Sequence, residues 1–331
     1  MSTLITGGTG LIGSALAEKL LARGERVVLF DAAPAETRLA PLRAHGDKLQ
    51  VVRGDVQSLA ELVDAIRTHK VAAVVHLAFV LGGEGNRVPE RATRINILGT
   101  VNALEAARLS GVERVLLASS ITVYGSDDQY PPELLPLSED VPLYVCRTMP
   151  IYGGGKVHTE HLAQAYAEYH GLVVGGMRPS IVYGWGRERG ASAFLGELID
   201  RPALGLPVRV PMGDARVSLV YVDDVAEQYL ALLTVDRAVL ARRRFFNTGG
   251  DTCTIRELAE TVRRVVPDAR IDVTSKGERD LGGLASLVSD RAFEDAVGFK
   301  RRFTPLEVGV RAQVAIARAH AASPASSART A

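Results

Sequence analysis

The feature that most restricts this chain lies at its start. Residues 6–13 read TGGTGLIG, which sets Gly7, Gly10 and Gly13 between a short apolar strand and a helical stretch, SALAEKLLARG. The first glycine permits a tight turn, the second lets the backbone approach an anion, and the third lets helix and strand pack closely. The helix opening at Leu11 and Ile12 points free N–H groups and the positive end of its dipole at the same spot. A strand–turn–helix of this kind at the head of a βαβ unit predicts a parallel sheet whose first turn cradles a pyrophosphate.

The rest of the first half agrees. Apolar runs rich in Val, Leu and Ile recur at residues 4–6, 26–30, 49–53, 72–77 and 114–119. They are apolar on successive residues, as parallel strands covered on both faces must be. Between them, Leu59, Leu62, Val63 and Ile66 fall on one helical face, as do Leu98, Val101, Leu104 and Ala107. The expected class is α/β: a Rossmann-like doubly wound parallel sheet with a smaller C-terminal substrate-binding lobe. A polar, Pro-bearing loop over residues 126–150 precedes a helix from about 153 to 169 and a sixth strand at 172–177. Residues 1–183 are read as the dinucleotide-binding domain, with returns to the sheet at 218–222 and 244–248, within a span of about 217–250. Residues 184–216 and 251–319 form the lobe, and the small, polar 320–331 a disordered tail.

Composition narrows the partners. Net charge is +1 over 331 residues, with 47% hydrophobic and 23% charged residues, so nothing favours nucleic acid or an anionic membrane. No window approaches the ~18 apolar residues of a membrane span, and the N-terminal strand lacks the layout of a signal peptide. Two distant cysteines, Cys146 and Cys253, make neither a disulfide framework nor a metal site. A cytoplasmic protein without metal, acting on a small molecule, is expected.

The second strand ends in Asp31, about twenty residues past the glycines. A carboxylate there accepts from ribose hydroxyls and repels a 2′-phosphate, which favours NAD over NADP; the nearest following arginine is Arg38. Asp55 and Val56, after the third strand, suit the adenine pocket. Leu77 and Ala78, after the fourth, suit the middle of the cofactor. His76, inside an apolar strand, reads better as a satisfied core group than as a base.

The chemistry is expected after the fifth strand. Residues 118–125 read ASSITVYG, and residues 152–156 read YGGGK. On a helix Tyr152 and Lys156 share a face. A phenol normally titrates near ~10, and an adjacent ammonium should lower that value. The phenol then serves as base toward an alcohol or acid toward a ketone, while a strand-end serine holds the reacting oxygen.

With these residues in view, the chain resembles the extended branch of the short-chain dehydrogenase/reductase superfamily, the NAD-dependent epimerases, dehydratases and dehydrogenases. The resemblance spans about 3–320. It rests on TGGTGLIG, Asp31, GDV at 54–56, HLA at 76–78, NILGT at 96–100, SSITVYG at 119–125, YGGGK, RPSIVYG at 178–184 and VYVDDVA at 220–226. It implies Ser120, Tyr152 and Lys156 as the catalytic three, with Ser119 or Thr122 as substitutes for Ser120. It places Asn96 near the lysine and Pro179 and Ser180 beside the nicotinamide, and it implies a homodimer through the helices around 98–109 and 157–169.

The chain also departs from that pattern. Members acting on nucleotide sugars commonly carry an Asn where Ile181 stands, and Arg-Asp-Phe where Val217-Ser218-Leu219 stands. Arg216 lies one place early, and on a strand one place means the opposite face unless a bulge intervenes. Three glycines open the catalytic helix where a Ser commonly precedes the lysine. The expectation is therefore an NAD-dependent oxidoreductase acting on a sugar or sugar acid. Thr122, Ser180, Arg187, Arg189, Ser192 and Arg216 are left to hold the substrate. An NAD-retaining epimerase or dehydratase is the alternative, and a non-catalytic NAD-binding regulator a third reading.

Overall fold

Alternation along the strands sends successive side chains to opposite faces of a central sheet, and two apolar layers result. Leu4, Val28, Val74, Val115 and Val174 pack with the helices Leu59–Thr68 and Gly99–Leu109 on one face. Ile5, Val27, Leu29, Val75 and Leu116 pack with Leu11–Ala22 and Val222–Thr234 on the other. Each fully buried aliphatic side chain contributes ~1.5–3 kcal/mol relative to exposure, so both layers hold the sheet. The computed structural model describes residues 1–274 and 281–322.

The strands are β1 (Ser2–Thr6), β2 (Arg26–Asp31), β3 (Leu49–Arg53), β4 (Ala73–His76), β5 (Arg114–Ala118), β6 (Val173–Arg178), β7 (Ile181–Tyr183), β8 (Val208–Val210), β9 (Arg216–Tyr221), β10 (Phe245–Asn247), β11 (Asp251–Thr254) and β12 (Ile271–Val273). Seven of them form one sheet in the order β10-β6-β5-β4-β1-β2-β3, every pair parallel. The order reverses between β1 and β4. That switch point opens a crevice at the carboxyl ends of the strands, where ligands of such sheets bind. Register sets Thr6 beside both Phe30 and His76, and His76 beside Leu117.

Of the two expected returns, only 244–248 joins the large sheet, as β10 beside β6. The segment expected at 218–222 is β9, which instead lies between β7 and antiparallel β11 in a separate three-stranded sheet. Pro179, with no N–H to donate, ends β6. The chain resumes as β7, and β10 already occupies the edge of β6. A two-stranded β8–β12 pair completes the lobe.

The long helix begins at Pro150, three residues before the expected start, and runs to His170. Proline suits a first helical position, where no N–H partner exists. Part of the expected tail is helical too. Leu306–Ala322 is one helix, held by buried Val310, Val314 and Ala317, and His320 stacks on Trp185 at 5.6 Å. Residues 323–331 lie outside the described residues.

Candidate active site

The glycine turn is built as its spacing requires. Gly7 has φ +63°, and a Cβ on it would come within 2.9 Å of the Ala78 nitrogen. Only a residue without a side chain lets β1 and the end of β4 approach so closely. A Cβ on Gly13 would lie 2.7 Å from the Gly7 carbonyl, whereas one on exposed Gly10 would meet only that carbonyl, at 3.1 Å. The outer side of Gly10 is thus open, at the N-terminus of Leu11–Ala22, and the cradle fits a dinucleotide. Leu11 and Ile12 are partly buried against the core.

At the end of β2, one Asp31 oxygen accepts from the Thr9 N–H at 3.1 Å and the Thr9 hydroxyl at 2.6 Å, and the other from the Ala33 N–H at 3.1 Å. The carboxylate therefore stands at the turn. Arg38 is not a neighbour available to a 2′-phosphate, since it donates to the carbonyls of Trp185 and Gly186 at 2.9 and 2.7 Å. The Asp55 carboxylate folds back on Gln57, accepting from its N–H at 2.9 Å and its side-chain amide at 3.0 Å. Val56 is buried, and its carbonyl accepts from Asn102.

Leu77 and Ala78 donate their N–H groups to the Thr6 hydroxyl. Asn96 is buried on a single π-helical turn, Arg94–Leu98. It accepts from the Val80 N–H at 2.7 Å and donates to the Val80 carbonyl at 3.1 Å, clipping the segment that leaves β4. Turns of this kind often mark functional sites. His76 is fully buried between the hydroxyls of Thr6, at 2.8 Å, and Thr100, at 3.3 Å. Burial, aided by the charge of Lys156, holds it neutral down to about 3. It is a satisfied core group.

Ser120, Thr122, Tyr152 and Lys156 come together where the helix Pro150–His170 crosses the end of β5. The reason is Gly153: a Cβ there would lie 2.6 Å from the Thr122 carbonyl, while Gly154 faces open space. One glycine of the three lets helix and loop touch. Ser120 accepts from the Thr122 N–H at 3.1 Å, and its hydroxyl favours the phenolate of Tyr152. The Thr122 hydroxyl is buried without a partner among the described residues.

Lys156 makes its closest contacts away from the phenol. It is buried, donates to the Ala118 carbonyl at 2.5 Å and sits 3.0 Å above the ring of Phe79. The Tyr152 ring lies farther off, 5.4 Å from the ammonium. Burial holds Lys156 well below the usual lysine range, opposed by the charge of Glu160. Burial likewise pushes Tyr152 up to about 12, and what draws it down is the Ser120 hydrogen bond and the charge of Arg187. Arg187, which follows β7, is thus a cation from outside this helix that favours the phenolate.

Two neighbours of the site are not apparent from the sequence. Phe79 follows the HLA segment directly and stands edge-on between His76 and Tyr152 at 6.1 and 6.2 Å. Glu160 lies one turn beyond Lys156, a spacing that could have revealed it. It accepts from Ser119 at 2.5 Å and forms a buried ion pair with Arg178 at 2.7 Å.

The remaining candidates follow β6. Pro179 is buried and its carbonyl accepts from the Ile121 N–H. Ser180 is bonded to Thr248 and Ser218. Ile181 and Val217 are buried in the apolar core. The β9–β11 register is continuous through Arg216, so no bulge turns that arginine inward; it is half-exposed and paired with Asp127 at 3.3 Å. Arg189 is exposed. Among the described residues no cluster of His, Cys, Asp or Glu could hold a metal, and no helix is long and apolar enough to cross a membrane.

Known proteins resemble this chain in sequence and fold. The profile of the NAD dependent epimerase/dehydratase family matches residues 3–249. The UDP-glucose 4-epimerase of Mycolicibacterium smegmatis is 31% identical over 235 residues, 70% of this chain and 72% of that protein. The Thermus thermophilus UDP-glucose 4-epimerase in complex with NAD is 27% identical with a TM-score of 0.80, covering 96% of this chain and 99% of that one. A partial-consensus L-threonine 3-dehydrogenase, 23% identical with a TM-score of 0.82 over 96% of this chain and 100% of that one, shares the fold. With the glycine cradle, Asp31 and the Tyr/Lys helix in place, the chain belongs to the NAD dependent epimerase/dehydratase family and is an NAD-dependent enzyme of the extended short-chain dehydrogenase/reductase type.

Proposed function

We propose that the enzyme is a dehydrogenase that oxidises, or in reverse re-forms, a secondary alcohol of a small polar, carbohydrate-like substrate, a sugar or sugar acid. The observation that carries this reading is the meeting of buried Ser120 and Lys156 with half-buried Tyr152 beside the end of β4. Ser120 orients the reacting oxygen. Tyr152 takes the hydroxyl proton in oxidation and returns it in reduction. Lys156 holds the nicotinamide ribose, with Asn96, Leu77, Ala78 and Pro179 around that half of the cofactor. Gly7, Gly10 and Gly13, with Leu11 and Ile12, cradle the pyrophosphate, Asp31 holds the ribose of the other half, and Asp55 and Val56 border the adenine. NAD, when bound, supplies the hydride acceptor. Thr122 and Ser180 contact the substrate.

A second reading, an NAD-retaining epimerase, is supported by the similarity to UDP-glucose 4-epimerases. Against it stand apolar Ile181 and Val217 and the Asp127-bound Arg216, where polar groups would grip a nucleotide diphosphate. Incubation with NAD and a panel of aldoses, aldonates and uronates is expected to give sustained NADH absorbance with at least one member. Tightly retained NAD and turnover of a UDP-sugar, with no net NADH, would install the epimerase in its place.

We also propose a cytoplasmic homodimer. Exposed Leu98, Leu109, Ile151 and Tyr169 support a shared helical face, and two free cysteines suit a reducing compartment. A single-chain mass in sedimentation would remove the dimer.

A further inference from the structure

The cations around the crevice are almost all neutralised or tied down. Arg178 pairs with Glu160, Arg216 with Asp127, and Arg38 donates to two backbone carbonyls. Arg187 differs. One terminal nitrogen donates to the Val182 carbonyl and the other to the buried Ser192 hydroxyl at 2.7 Å. No carboxylate pairs with it among the described residues. A guanidinium has five N–H donors in a planar fork, so three remain for a ligand.

Its position makes this more than a packing detail. A Cβ on Gly190 would lie 3.6 Å from both Arg187 and Leu81, and one on Gly82 would lie 3.0 Å from Met149 and 3.9 Å from Ala191. The loop after β7 therefore closes over the segment leaving β4 and the first turn of the helix that carries Tyr152. Arg187 is half-buried, so its charge is only partly screened by solvent, and with no carboxylate beside it among the described residues it favours the arrival of an anion. Burial already draws Arg187 down to about 10, opposed by its interaction with Tyr152.

We propose that Arg187 anchors a carboxylate of the substrate, held by its planar fork beside the alcohol that Tyr152 serves, so that the enzyme selects sugar acids over neutral sugars. This deepens the dehydrogenase reading and rests on it. One fork with a single positive charge matches one carboxylate. A nucleotide diphosphate would call on further cations, and Arg216 and Arg38 are already engaged. The Thr122 hydroxyl, buried with no partner among the described residues and on the loop that touches Gly153, offers a hydrogen bond to the same ligand.

The test compares pairs that differ only in carboxylate against hydroxymethyl: D-glucuronate with D-glucose, D-galacturonate with D-galactose, and D-gluconate with D-glucitol. Binding is read by fluorescence of the NADH-loaded enzyme, and turnover by NADH formation from NAD. At least one acid is expected to bind about 10- to 100-fold more tightly than its neutral partner. Arg187→Gln should erase that ratio and Arg187→Lys restore part of it, with circular dichroism and NAD affinity unchanged as the check on folding. Equal binding of acid and neutral partners, or a preference that survives Arg187→Gln, overturns the anchor. So does tight UDP-glucose binding that depends on Arg187 while the acids bind no better than neutral sugars. Acid binding lost in Arg187→Gln without NADH formation would keep the anchor and sink the dehydrogenase reading. Oxidation of a neutral sugar with no acid preference would do the reverse.

Discussion

Tyr152 keeps its proton up to about 12 in this structure because burial penalises the phenolate more than Ser120 and Arg187 favour it. The sign of the pH dependence follows. Oxidation needs the phenolate, so its rate at limiting substrate should climb with pH through the neutral and alkaline range, while ketone reduction, which needs the phenol, should fall. Arg187→Gln removes a charge that lowers the phenol, so the rising limb should move to higher pH. Tyr152→Phe should lower turnover about 10²- to 10⁴-fold and abolish the limb. A pH series of initial rates on the three proteins checks both statements, and an unchanged profile in Tyr152→Phe would remove Tyr152 from the proton transfer. The tyrosine and lysine were legible from their four-residue spacing. That an arginine after β7 bears on the phenol was not, because the β7 loop and the helix meet only after folding.

At the scale of single elements, the helix Pro150–His170 shows how far pattern carries. Periodicity and the proline place it, but three successive glycines look alike in sequence. The fold separates them. A Cβ on Gly153 would press to 2.6 Å of the Thr122 carbonyl, whereas one on Gly154 meets nothing within 4 Å. Gly153→Ala should therefore destabilise by about 1–3 kcal/mol as overpacking does, and should disturb Ser120 and Thr122. Gly154→Ala should stabilise by about 0.5–1 kcal/mol through helix propensity. Denaturant midpoints of the two variants should move in opposite directions; a Gly153→Ala protein as stable as the parent would show that helix and loop do not touch. β9 teaches the converse lesson. Its apolar run marks a strand, yet holds no information about which sheet accepts it.

For the molecule as a whole, the crevice sits on a polar interior that links its parts. Glu160 and Arg178 form a buried pair; Arg178 also donates to Tyr124, whose hydroxyl donates to Asn247 on β10. His76 joins β1 to the helical segment after Asn96 through two threonines. Its folded value, about 3, lies below the ordinary 6.5. A depressed folded value means that stability is full above about 6.5 and is lost as pH falls toward 3, because the unfolded chain binds the proton first. The loss should amount to a few kcal/mol. Denaturant titrations between those pH values should show a shallower decline for His76→Gln than for the parent. Parallel declines would mean that His76 takes up its proton without unfolding pressure.

The sequence by itself determined the glycine turn, the alternation of strand and helix, the acidic end of β2 and the Tyr/Lys spacing. Each depends on neighbours a few residues apart, where backbone geometry and side-chain periodicity act directly. Only the tertiary structure decided that Arg187 bears on the phenol, which glycine is needed, where β9 pairs, and that Phe79 and Glu160 flank the lysine. Those outcomes depend on distances between segments far apart in the chain, and on burial, which changes the charge preference of a group by amounts that no local pattern encodes.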